Sequence, residues 1–75
     1  MQELIEYVAR SLVDDPTEVE VRSHLERGRV RIELLVADED KGRVIGRGGR
    51  VANAMRALLR VAASREGTRA ILDII

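Results

Sequence analysis

Apolar positions recur at helical spacing at the start of the chain. Leu4, Ile5, Val8 and Leu12 share one face of a helix over residues 2–13, with Glu3, Glu6 and Arg10 outside. Glu3 and Glu6 suit the positive N-terminal end. Asp14-Asp15-Pro16 stops the helix, because a residue before proline avoids the α region. The period then shortens to two. Val19, Val21 and Leu25 point one way over residues 18–25, and Glu18, Glu20, Arg22 and His24 point the other. Glu26-Arg27-Gly28 reads as a short turn. Residues 29–37 alternate again, with Val30, Ile32, Leu34 and Val36 inward, so the two runs make a hairpin.

Ala37-Asp38-Glu39-Asp40 leaves the sheet. Asp38 or Asp40 is placed to accept hydrogen bonds from the free N–H groups of a short helix over residues 41–45, which Gly46 breaks. The helical period returns over residues 50–65. Val51, Ala54, Met55, Leu58 and Ala62 form one face, and Asn53, Arg56, Arg60 and Ser64 form a polar stripe opposite. Ala52, Leu59 and Ala63 are apolar too, so the apolar arc is wider than one sheet-facing stripe requires. Part of it must pack on the first helix, line a ligand groove or meet another chain; Leu59 and Ala63 are the candidate dimer contacts. Gly67 ends the helix as a left-handed cap, and residues 68–75 form a last, well-covered strand. The order αββααβ predicts an α+β fold. The second and third strands are joined through helices and so should lie parallel with a right-handed crossover. The first strand adds on the outside. The expected architecture is a three-stranded mixed sheet covered on one face by three helices.

Length changes this picture little: 75 residues make one domain, residues 1–75. A chain of this size buries only about 60% of its unfolded surface. With no cysteine it has no disulfide or thiolate-bound zinc to brace it, so a partner chain would help. The acidic start lacks the features of a signal peptide, and no stretch approaches the length of a membrane span, so a cytoplasmic protein is expected.

Charge changes it more. The chain is formally neutral, but residues 1–40 hold eleven acids against five bases, whereas residues 41–60 hold six bases and no acid. Local charge, not the total, makes a footprint for a polyanion. In the middle of the basic stretch lies Gly46-Arg47-Gly48-Gly49. Glycines let the backbone turn sharply and let another backbone approach. Free N–H groups at the start of the following helix favour an anion, and Arg47 and Arg50 flank the spot. A phosphate chain is the natural guest.

An apolar pair, Val44-Ile45, followed by Gly46-Arg47-Gly48-Gly49 between two helices resembles the signature of the KH domain. The αββααβ order is similar to the type II, prokaryotic form. SLVDDP at the end of the first helix, the core GRVIGRGGRVANAMRALL and the closing apolar strand resemble, end to end, the family of small bacterial single-KH-domain proteins of the KhpA type. The resemblance implies binding of single-stranded RNA without catalysis and without a cofactor or metal. Residues Gly46, Arg47, Gly48 and Gly49 would contact phosphates and sugars, and Arg47 and Arg50 would add charge. Val44, Ile45 and Ala52 would line the apolar floor under the bases, with Lys41, Arg43 and Arg56 steering phosphates. Ala52 departs from the branched apolar residue that many KH domains carry there, which leaves the floor shallower. The family resemblance also implies a homodimer, or pairing with the larger KH protein KhpB, and a link to RNA chaperoning, cell length and envelope growth.

Other readings are weaker on the residues. An assembly domain with little RNA binding would explain the wide apolar arc. An enzyme would need a nucleophile–base constellation that the chain lacks. The turn is no Walker loop, since no G-x-x-x-x-G-K-[ST] is present, and Val51 stands where a dinucleotide fingerprint needs its third glycine. His24 has no second histidine or cysteine to share a metal and reads as a solvated strand residue. The acids at 38–40 read as capping rather than metal binding. Tyr7, the sole aromatic, reads as a packing or edge residue rather than a base platform. The near absence of aromatics argues against an RRM or OB mode of binding.

Overall fold

The computed structural model describes residues 1–75. Helix α1 runs Gln2–Leu12, strand β1 Glu20–Glu26, strand β2 Arg29–Leu35, helix α2 Lys41–Ile45, helix α3 Arg50–Arg65 and strand β3 Ala70–Ile74. The sheet order is β1-β2-β3. β1 and β2 pair antiparallel with Val21 opposite Leu34, and β2 and β3 pair parallel with Ile32 opposite Leu72. The fold is therefore the αββααβ arrangement of an α+β chain with a mixed three-stranded sheet and its helices on one face.

Local chemistry accounts for the joints. Arg27 and Gly28 both have positive φ, 50° and 79°. Between Glu26 and Arg29, which face each other across the hairpin, they form the tight two-residue turn whose twist matches two antiparallel strands. At the end of α3 the N–H of Thr68 donates to the Ala63 carbonyl at 2.9 Å and that of Gly67 to the Ser64 carbonyl at 3.1 Å. Gly67 has φ 69°. These are the paired bonds of a glycine-terminated helix.

The core lies between the sheet and the helices. Ile5 and Ala9 come from α1, Val21 from β1, Ile32 and Leu34 from β2, Val44 from α2, Met55 and Leu59 from α3, and Leu72 from β3. Three expectations need correction. In α1 the buried pair is Ile5 and Ala9, while Leu12 is 39% exposed. Leu12 is in the last turn, where the helix gives way to the extended Val13 and has left the sheet. Leu25 is 78% exposed although it alternates with Val21. The first turn of α1 sits at Val21, whose carbonyl accepts from Gln2 Nε2 at 3.0 Å, and the helix runs from there away from the hairpin tip. Nothing covers Leu25. In α3 the buried stripe is Ala52, Met55, Leu59 and Ala63, one position on from the expected Val51, Ala54, Met55, Leu58 and Ala62. The apolar arc goes most of the way round, so spacing alone could not choose its centre.

Asp40 provides a fourth correction. It is buried, yet it caps no helix. Its two carboxylate oxygens accept the N–H groups of Asp14 at 3.1 Å and Asp15 at 3.2 Å. Arg43 Nε lies 3.3 Å from the same carboxylate, and Arg43 Nη2 donates to Asp14 at 2.8 Å. The acid thereby ties the link after α1 to the start of α2. A buried charge is tolerated when it is paired and hydrogen-bonded in this way. Asp38 does not cap either; it pairs with Lys41 at 3.2 Å.

Candidate nucleic-acid interface

Helix α2 stops at Gly46 because the backbone there takes φ 76°, ψ 169°. That conformation belongs to glycine alone. Space demands glycine as well: a Cβ at position 46 would stand 2.6 Å from Val51 Cγ2 and 2.9 Å from the Val51 nitrogen. The two arms of the loop thus meet at backbone distance. The Gly46 carbonyl accepts the N–H of Gly49 at 3.1 Å, closing a tight turn. Gly48 and Gly49 follow in the left-handed region, with φ 65° and 79°. A Cβ on Gly48 would touch nothing, so that position is open to whatever approaches from outside.

Helix α3 starts immediately after this turn. Its N-cap is Gly49, which has no side chain, and no other side chain caps the first turn. The Arg50 N–H is taken by the Arg47 carbonyl, which leaves the remaining N–H groups of that turn and the positive end of a 16-residue helix. Arg47 and Arg50 are exposed and enter no ion pair, unlike the basic groups nearest to them in α2. The turn therefore offers backbone donors, a helix end and two mobile guanidinium groups, with no carboxylate bound among them.

The other expected site residues divide. Ile45 is 40% exposed beside the loop. Val44 and Ala52 are buried in the chain's own core, at 0% and 3% exposure, and present no surface to a base. The apolar pair is split by the helix: neighbouring residues point about 100° apart, so one goes inward and the other out. Lys41 and Arg43 are held by Asp38, Asp14 and Asp40, so their charge is largely answered within the protein. Arg56 reaches across from α3 to β3, with Nη2 3.4 Å from the Leu72 carbonyl and Nη1 3.3 Å from Asn53 Oδ1. Leu59 and Ala63, the expected dimer contacts, are each 1% exposed and belong to the core. As folded they offer nothing to a second chain.

The structure adds two residues. A groove of about 200 Å3 runs between α3 and the free edge of β3, lined by Arg56, Leu59, Arg60, Ala70, Ile71 and Leu72. Arg60 and Ile71 were not among the expected site residues. Arg60 shares the polar stripe of the helix with Arg56, and that common face four residues on is the signal that could have brought it into the site. Ile71 became visible only once β3 was placed beside α3.

A family model described as KhpA/KhpB, KH domain, matches residues 2–74. The chain belongs to the KhpA/KhpB KH-domain family. Its glycine turn between α2 and α3 carries the Gly-x-x-Gly pattern, with Arg47 and Gly48 in the two variable places. Among KhpA relatives, the RNA-binding protein KhpA of Treponema pallidum is 49% identical over 74 residues, covering 99% of this chain and 92% of that protein. That of Caldanaerobacter subterraneus is 47% identical over 75 residues, and that of Clostridium perfringens 43% over 75, each covering the full length of both chains. The match to the KhpA type is thus end to end. No helix is long and apolar enough to cross a membrane.

Proposed function

We propose that this chain is a single KH domain that binds single-stranded RNA at residues 46–49 and performs no chemistry on it. The observation that carries the reading is the loop itself. Glycine is required at position 46 by contact with Val51, the helix behind it has no side-chain cap, and Arg47 and Arg50 have no acid partner. The name of the relatives, RNA-binding protein KhpA, agrees with it. Gly46, Gly48 and Gly49 supply close backbone approach to the phosphates, Arg47 and Arg50 supply charge, and Ile45 supplies apolar surface for a base. A KH loop of this kind clamps about four nucleotides by the backbone.

The test is the double variant Arg47→Asp, Gly48→Asp. Arg47 is exposed and a Cβ at position 48 meets nothing, and aspartate tolerates the left-handed region better than most residues. The fold should survive, with unchanged circular dichroism, while binding to short single-stranded RNA is lost. Retained binding by a folded double variant rejects the loop as the site.

In the cell, we propose that this chain acts in the cytoplasm as an RNA chaperone or post-transcriptional regulator, with a KhpB-like partner, in cell-length and envelope homeostasis; the end-to-end match to the KhpA type supports this reading. Co-purification of such a partner, and of bound transcripts, from cells carrying a tagged chain checks that assignment; recovery of neither rejects it. A second reading, assembly, has its own observation. Leu58 is 49% exposed and Val61 56% exposed on the outer side of α3. This surface, not Leu59 and Ala63, is where a second KH chain would meet it. Leu58→Glu, which leaves the core alone, should then move the sedimentation mass toward monomer; an unchanged dimer places the contact elsewhere.

A further inference from the structure

Three arginines from three parts of the chain converge on a cleft that the GxxG loop does not touch. Arg29 begins β2, Arg60 lies on α3, and Arg69 precedes β3; with Gly28, Ser64 and Thr68 they line a cavity of about 700 Å3. Backbone pairing brings two of them together. The Val30 N–H donates to the Arg69 carbonyl at 2.8 Å, which sets residues 29 and 69 side by side where the parallel pair begins.

No acid answers these charges. The basic side chains that pair with carboxylates are others: Arg10, Arg22, His24, Arg31, Lys41 and Arg43. The carboxylates closest in sequence are occupied elsewhere, Glu26 by Arg31 at 3.6 Å and Glu66 by the amino terminus at 3.8 Å. Like charges gathered without a counter-charge repel one another, and a bound polyanion removes that cost. The cleft is continuous with the groove between α3 and β3, because Arg60, Ala70 and Ile71 line both. An unbroken path thus leads along α3 from Arg56 to Ser64. At 1.5 Å per residue that stretch covers about 12 Å. A stacked strand with one phosphate every ~3.4 Å would place about three or four phosphates along that length.

We propose that the Arg29–Arg60–Arg69 cleft is a second phosphate-binding site, for the continuation of the same RNA strand that the GxxG loop holds. This rests on the RNA-binding reading of the loop. The charged groups lining the cleft are all guanidinium donors, so it takes phosphate without choosing bases. It lengthens the footprint from about four nucleotides to about seven or eight at ~3.4 Å per phosphate.

The experiment compares random-sequence RNA pools four and eight nucleotides long, bound by the full chain. An eight-nucleotide strand offers five registers for a four-nucleotide site, so about fivefold tighter binding comes from counting alone. The wild-type chain should gain well beyond that, about twentyfold, because extra phosphates are neutralised. The double variant Arg29→Ala, Arg69→Ala should bind the short pool as the wild type does and gain only the fivefold. Its salt dependence on the long pool should be shallower by about 1.4 in log–log slope, at ~0.7 per phosphate. Both side chains are exposed, so circular dichroism should not change. A wild-type gain of fivefold or less overturns the second site and leaves the loop reading standing. So does a double variant that keeps the larger gain. A wild-type chain that binds neither pool overturns both readings.

Discussion

Single residues carry unequal constraints at the loop. Gly46 is held by both conformation and contact, Gly48 by conformation alone. Gly46→Ala must place a methyl group against Val51 at a φ that alanine avoids, and should cost about 1–3 kcal/mol. Urea unfolding reads this as a lower midpoint at unchanged slope; an unshifted midpoint would mean the two arms of the loop are not in contact. A second residue-scale expectation lies on the helix-free face of the sheet. His24 Nε2 lies 2.9 Å from Glu33 Oε1, and the ring N–H donates, since a carboxylate only accepts. This hydrogen bond, with the positive charge nearby at Arg31 and Arg22, lowers the Glu33 carboxyl below its ordinary range. The sign follows from linkage: the stabilisation is complete above the unfolded value of about 4.3 and is lost as pH falls through the lowered folded value. His24→Ala should move the Glu33 titration, followed by carboxyl carbon shifts, back up toward the ordinary value. No movement would assign the shift to another neighbour.

Among the elements, α3 serves the core, the loop and the groove at once. Its length and ends were legible: the apolar arc spans residues 50–65 and Gly67 stops it, as found. Its rotation was not. A helix apolar on most of its circumference has no single preferred face until the sheet and α1 press on it. That ambiguity decides which substitutions mean what. Leu59→Ala removes a side chain that is 1% exposed and should cost about 2–5 kcal/mol. Leu58→Ala, on the half-exposed side, should stay within about 0.5 kcal/mol. Equal losses in thermal unfolding would mean that α3 is turned the other way. The hairpin makes the same point: strict alternation located both strands, but the exposure of Leu25 depends on where α1 ends its cover.

For the whole molecule, neutrality conceals a division of charge. The bases between residues 41 and 60 are not all available, because Lys41 and Arg43 are already paired. The electrostatic footprint on a four-nucleotide RNA is therefore smaller than the count of six bases implies. If two to four phosphates are neutralised, the log–log salt slope should fall at about −1.5 to −3. A slope near zero would favour assembly over RNA binding, and one much steeper would mean that the paired residues are released on binding. The buried Asp40 links these scales, since it holds Asp14, Asp15 and Arg43 and so fixes the start of α2, the helix that leads into the loop.

The order of elements, the glycine turn, the parallel joining of β2 and β3 and the concentration of positive charge beside the turn were determined by the sequence alone. They depend on short-range facts: apolar period, residues able to take positive φ, and the span a crossover needs. The tertiary structure alone decided which apolar residues of α2 and α3 face inward, which bases are spent on internal acids, and that Arg29, Arg60 and Arg69 share one cleft. Those outcomes depend on contacts between residues far apart in the chain, where packing on several sides selects among faces that one-dimensional spacing leaves equivalent.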